Sequence, residues 1–211
     1  MRAADFYPDG PMGQKLLPIL NTQYHWPFAG VLPLIAVCLY LAIGPLGLGV
    51  LSAVLLAGAG WLSWTFGEYL AHRFAFHYEP RTEWGRVFLH YAHAGHHDDP
   101  KVVRLILVPV IISVPILTSY AVVGYWLVGA GALAFVAGHA AGYLYYEHVH
   151  YCCHHGRRKL GWTKTQRKLH MYHHFKDHDR WFGVSTHLWD YVFRTHVPKS
   201  EAEQAEPRRA A

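Results

Sequence analysis

Charge is scarce in this chain. Only 16% of its 211 residues are Asp, Glu, Lys or Arg, against about a quarter in an ordinary soluble domain. Cysteine is scarcer: Cys38 lies inside an apolar run, Cys152 and Cys153 are adjacent, and no C-x-x-C pair exists. That excludes a zinc ribbon, a thioredoxin-type redox motif and a disulfide framework. Asp and Glu number 14 and form no evident metal-binding set. There is no arginine-rich arm and no RNA-binding signature. The formal charge of +5 therefore points to an anionic membrane surface rather than to nucleic acid. The first residues lack a basic segment leading directly into an apolar one, so no cleaved signal peptide is expected. Internal repeats are absent.

What the chain has instead is apolar surface: 52% hydrophobic and 15% aromatic residues. Its mean hydropathy of +0.06 still requires a substantial polar part outside the bilayer. Four apolar runs stand out, about Phe28–Ile43, Leu46–Phe66, Leu105–Val123 and Tyr125–Tyr146. Gly44–Pro45 and Gly124 break them into two hairpins. About 20 residues cross a typical hydrocarbon core, and tilt or local thinning accommodates the shorter first run. The expectation is an all-α integral membrane protein with about four transmembrane helices. Residues 1–26, with Pro8, Gly10, Pro11, Gly13 and Pro18, read as an irregular surface arm, 27–200 as the membrane domain and 201–211 as a frayed tail. Lys and Arg concentrate after the second and fourth runs, which places both polar segments in the cytosol by the positive-inside rule.

Histidine is the outlier, with 18 residues, most of them in four clusters on those polar segments. They are EYLAHRFAFH (His72, His77), HYAHAGHH (His90, His93, His96, His97), YEHVHYCCHH (His148, His150, His154, His155) and HMYHH (His170, His173, His174). Helical positions three or four apart share a face. His150 and His154 can therefore address one centre. His93 pairs with His96 or His97, and His170 with His173 or His174. Adjacent His96 and His97 diverge by about 100°, which suits two ions better than one. Ten imidazoles are too many for one ion and reasonable for two. A closed structural zinc site takes four ligands and usually includes cysteine. The all-histidine set argues for a redox di-iron centre, with zinc open as an alternative. Isolated His25, His139 and His196 read as ordinary polar residues. His90, His148, His155, His178 and His187 stand beside the clusters, either as partners of the ligands' outer nitrogens or as surface residues. The same two readings hold for Glu68, Glu147 and Asp190.

With these boxes the chain resembles the fatty acid hydroxylase superfamily, which includes sterol desaturases and carotenoid hydroxylases, and is most similar to fatty acid 2-hydroxylases. EYLAHRFAFHYEP looks like the first histidine box with its HX4H spacing. HAGHH matches the HxxHH box, with Ala94 where Gly is common. YEHVHYCCHHG is similar to YDxxHYxLHxG, with Glu147 in place of Asp. HMYHHF and FGVSTHLWDYVF look like the closing box and its aromatic tail. The likeness runs from about Gly67 to Thr195. It implies ten metal ligands: His72, His77, His93, His96, His97, His150, His154, His170, His173 and His174. It also implies two iron ions, O2 as co-substrate and hydroxylation of an acyl chain beside its carbonyl, in a fatty acid or sphingolipid.

Side-chain acid–base chemistry alone does not break an unactivated C–H bond, so a metal centre must supply the oxidant. Yeast and animal members carry a fused cytochrome b5 domain with a His-Pro-Gly-Gly motif, which this sequence lacks. The reading therefore expects a separate electron carrier, cytochrome b5-like, a ferredoxin or a reductase. It places the protein in a bacterial inner membrane, or in the endoplasmic reticulum if eukaryotic. Competing readings are a sterol, carotenoid or other lipid hydroxylase or desaturase, a metal transporter, and a non-catalytic metal-binding protein. Transporters hold ions near the bilayer midplane on broken helices, whereas these clusters follow the apolar runs. Arg157, Arg158 and Lys159 read as a basic loop for lipid phosphate, for an acidic carrier or simply for solvent.

Overall fold

The computed structural model describes residues 7, 8, 10–20, 23–156 and 161–196. Arg157, Arg158, Lys159 and the 201–211 tail lie outside the described residues. Every regular element among them is a helix: α1 (Pro11–Leu20), α2 (Trp26–Ile43), α3 (Val50–Leu70), α4 (Glu83–Leu89), α5 (Gly95–Asp98), α6 (Val103–Ile106), α7 (Val110–Val128), α8 (Ala130–His155), α9 (Gly161–Phe175) and α10 (Leu188–Val192). Two π-helical turns join them, Ala71–Phe76 after α3 and His90–Ala94 after α4.

Part of the arm read as irregular is the helix α1. Pro11 occupies its first position, where the missing N–H has no intrahelical partner to lose, and MGQKLL continues it. The second hairpin turns at Gly129 rather than at Gly124. Gly129 has φ +74, a conformation open to glycine and strained for other residues. Gly124 stays inside α7, and a Cβ there would lie 3.0 Å from the Ala132 side chain.

Three helical stretches are long and apolar enough to cross a membrane: Trp26–Ile43, Val50–Phe76 and Val103–Val128. Leu51, Val54, Leu55, Ile111, Val123, Trp126 and Leu127 project outward from them. A contiguous apolar exterior of this kind belongs against lipid. The fourth run, in α8, is not among the three. α2, α3 and α7 all pack on α8, and its buried face is rich in Ala and Gly. A helix enclosed by its neighbours needs close packing more than lipid-matching side chains.

That packing is tightest between α3 and α8. A Cβ on Gly60 would fall 1.9 Å from the Phe135 carbonyl oxygen, and one on Gly138 would fall 1.8 Å from that of Ala57. Small residues let membrane helices approach to backbone contact. Cys38, Ala42, Ala53, Ala121, Leu133, Ala134 and Ala137 fill the core beside this crossing. The crossing fixes the ends of α3 and α8, and both ends carry clustered histidines.

Gly138→Val should destabilise the detergent-solubilised protein by about 3 kcal/mol or more through overpacking. Gly58→Ala, whose Cβ meets nothing within 4 Å, should be neutral or slightly stabilising. Thermal melts of the two variants compare them.

Candidate metal centre

The membrane helices continue past their apolar runs into the histidine clusters. α3 passes directly into the π turn bearing His72, and α8 runs on to His150 and His154. His72 and His77 are five apart, which on an α-helix would separate them by about 140°. A π turn closes i→i+5. In this structure the two rings lie 5.2 Å apart, centroid to centroid. The second π turn supplies His93 and leads into α5, which carries His96 and His97.

Ten of the thirteen clustered histidines form two groups of five. Group A holds His72, His77, His93, His97 and His173; group B holds His96, His150, His154, His170 and His174. Within each group, one nitrogen per ring lies within 4.8 Å of the others. The HxxHH boxes resolve the pairing that spacing left open. The first and third histidines of each box share a group, and the second crosses to the other. His97 and His174, from different groups, stack with centroids 4.0 Å apart.

The nitrogens that converge are Nε2. Nε2–Nε2 separations are 2.8 Å for His93–His97, 3.1 Å for His77–His173, 2.9 Å for His96–His150 and 2.8 Å for His154–His170. His72 Nδ1 lies 2.5 Å from the Phe182 carbonyl oxygen, and His173 Nδ1 lies 2.8 Å from that of Arg180. A carbonyl only accepts, so both rings carry the proton on Nδ1 and turn a bare Nε2 inward. His72 Nε2 is buried without a hydrogen-bond partner. Opposed lone pairs and an orphaned buried acceptor are unfavourable alone and fit a cation between them. Imidazole sets of this kind hold iron, copper, zinc or nickel.

Burial keeps these rings neutral. Desolvation, with the neighbouring rings adding to it, lowers His77 to about 4, His173 to about 3 and His174 to about 2. His93 and His97 are also depressed, first by desolvation and then by adjacent histidines.

The segment after α9 supports the outer nitrogens of His72 and His173. Asp190 accepts from the Phe182 and Gly183 N–H groups, each at 2.9 Å, and from the Thr195 hydroxyl at 2.7 Å. Glu68 accepts from the Val184 and Ser185 N–H groups at 2.6 and 2.9 Å and from the Ser185 hydroxyl. Of the two readings left open for these carboxylates, the structure shows contacts with backbone and hydroxyl groups. Both hold backbone, and the backbone carbonyls hold the rings. Between those carbonyls Trp181 sits at φ 57, a left-handed conformation costing about 1–2 kcal/mol for a non-glycine residue.

The other candidates divide. His178 stands at the rim of group A, 5.3 Å from His97 between centroids. His90 lines the same side and packs edge-on to Tyr7. Glu147 accepts from Val108 N–H at 3.0 Å and pins the break between α6 and α7. His148 bonds the Tyr24 hydroxyl at 2.6 Å, away from both groups. His187 Nδ1 lies 3.8 Å from Asp190 Oδ2. His155 stacks on Tyr151. Spacing offered no signal for the Arg180 and Phe182 carbonyls; the aromatic tail FGVSTHLWDYVF was the nearest clue to them.

A cavity of about 590 Å³ reaches group A, with His77, His93 and His97 in its wall beside Phe76, Tyr78, Leu89, Arg86 and Asp98. These features define an integral-membrane helical protein with two all-histidine groups, each of which could hold a metal ion. The chain belongs to the fatty acid hydroxylase family, whose model matches residues 57–195, and so to the lipid-hydroxylating oxidoreductases. It is 31% identical over 176 residues to the dihydroceramide fatty acyl 2-hydroxylase FAH1 of Arabidopsis thaliana, covering 83% of this chain and 73% of that one. It is 37% identical to the fatty acid 2-hydroxylase of Rattus norvegicus, covering 71% of this chain and 40% of that one. A solved structure of full-length scs7p, with only its hydroxylase domain visible, shares 27% identity and a TM-score of 0.79, covering 87% of this chain and 70% of that one.

His77→Ala combined with His93→Ala should reduce bound metal from about two ions per chain to about one, because all remaining group B ligands are intact; elemental analysis of purified protein measures this. Metal-free protein should lose stability as pH falls from 7 to 5. The unfolded chain then takes up protons near 6.5 that the folded rings, held near 3 and 4, still refuse. Melting temperature against pH reads the slope.

Proposed function

We propose that the chain is a di-iron, O2-dependent hydroxylase that acts on the carbon next to the carbonyl of a fatty acyl chain, free or within a sphingolipid. The observation that carries this reading is the pair of five-histidine groups with Nε2 turned inward, one of them opening to a cavity. The ligands we assign are His72, His77, His93, His97 and His173 to one ion and His96, His150, His154, His170 and His174 to the other. Bound iron supplies O2 activation and C–H oxidation, chemistry outside the reach of the side chains.

The residues provide placement. Phe76 and Leu89 give the cavity an apolar wall, and Tyr78, Arg86 and Asp98 offer hydrogen bonds there. An amide or carboxyl end held by these polar groups leaves the adjacent methylene beside His77, His93 and His97. The reaction consumes O2, two electrons and two protons for each hydroxyl formed, and releases one water. A separate one-electron carrier supplies the electrons. Arg73, Arg81, Arg86, Lys101, Arg104, Lys164, Arg167 and Lys168 all lie in or beside the segments that bear the histidines, which supports a cytosolic position for that end.

Cells expressing the wild type and grown under heavy-isotope O2 should contain acyl chains with one labelled hydroxyl oxygen, located by fragmentation at the carbon beside the carbonyl. The His173→Ala, His174→Ala double variant removes one ring from each group and should abolish that label. No labelled acyl chain in a substrate-rich host with a working reductant would sink the proposal, and label on a sterol or carotenoid would redirect it.

A further inference from the structure

A second depression shares no lining residue with the first among the described residues. It occupies about 550 Å³ between the end of α8 and the outer face of α9, with Lys164, Arg167 and Lys168 in its wall beside Cys152, Gly156 and Met171. Among the described residues, no acidic side chain lines it. Lys164 and Lys168 are exposed and four apart, so they project from one face of α9. Arg167 donates to the Gly156 carbonyl at 3.2 Å and ties α9 to the end of α8.

The wall of this groove is made by chain neighbours of two group B rings. His154 lies between Cys152 and Gly156 on α8, and His170 is one turn beyond Arg167 and adjacent to Met171. Their Nε2 atoms are 2.8 Å apart. His154 is also the one ring of group B that is not fully buried. The lipid-sized cavity reaches only group A rings. A substrate seated there closes that approach, so electrons need a different one.

Resting on the hydroxylase reading above, we infer that this basic groove is the docking site of the electron carrier: a one-electron redox protein with acidic surface around its cofactor. Each carrier docks by charge complementarity, delivers one electron toward His154 and His170, and leaves. Two such visits supply the two electrons consumed with O2 and two protons per hydroxyl. The separation of doors lets substrate and carrier be bound together.

The test uses the full chain in neutral phosphatidylcholine nanodiscs and the soluble haem domain of a cytochrome b5 as the acidic carrier. Wild-type affinity should fall steeply as salt rises. Lys164→Glu with Lys168→Glu should weaken binding at least about ten-fold, and Lys164→Gln with Lys168→Gln should weaken it less. A carrier with its acidic patch reversed to lysine should regain affinity for the glutamate variant. Unchanged affinity in both variants overturns the proposal. So does a glutamate variant that keeps its carrier affinity and loses only binding to phosphatidylserine vesicles, because the groove then serves lipid phosphate. Protein reduced anaerobically with dithionite, freed of excess reductant and then exposed to O2 should form equal single-turnover product in wild type and variants. Its absence from all of them strikes the hydroxylase reading and leaves the docking result standing.

Discussion

An imidazole has two nitrogens pointing away from each other, and only one of them can face a metal ion. The other is costly to leave unpaired where water does not reach. In group A the carbonyls of Arg180 and Phe182 meet this demand for His173 and His72. Those carbonyls point inward because Asp190 and Glu68 hold the intervening N–H groups. Glu68 is on α3, one turn before His72. One helical stretch, Val50–Phe76, thus carries a group A ring and also anchors the loop that orients it. Metal-binding histidines commonly rely on such a partner, and here the carboxylate acts through a stretch of backbone.

The second constraint is angular. Five rings must look at each of two points, and an α-helix offers one face every three or four residues. The chain solves this in two ways. In the HxxHH boxes, neighbouring histidines point to different groups, so α5 and α9 each serve both. In HX4H, where α-helical geometry would turn the rings apart, the π turn Ala71–Phe76 brings them together. The backbone departs from regular helix at the positions where its side chains require it.

Much of this was legible in the sequence. The four clusters, their position after the apolar runs and the division of adjacent histidines all follow from spacing, and the membrane character follows from hydropathy. Other features were not legible, for physical reasons. A π turn leaves no mark in apolar periodicity. Gly124 and Gly129 look alike in sequence, and only the local path shows which has positive φ. The Arg180 and Phe182 carbonyls act through backbone, so the side chains at those positions do not announce the role. α8 reads as a lipid-facing span by composition alone, yet its Ala and Gly residues fit it to be enclosed by other helices.

The order of the ligands along the chain has a consequence for biogenesis. α2, α3 and α7 belong to the first 128 residues and carry the lipid-facing surface, whereas His170, His173, His174 and the two supporting carbonyls come after residue 160. During synthesis the helical scaffold can insert while each group still lacks rings from α9. Both five-histidine groups are therefore completed late, group A by its one ring from α9 and group B by its two.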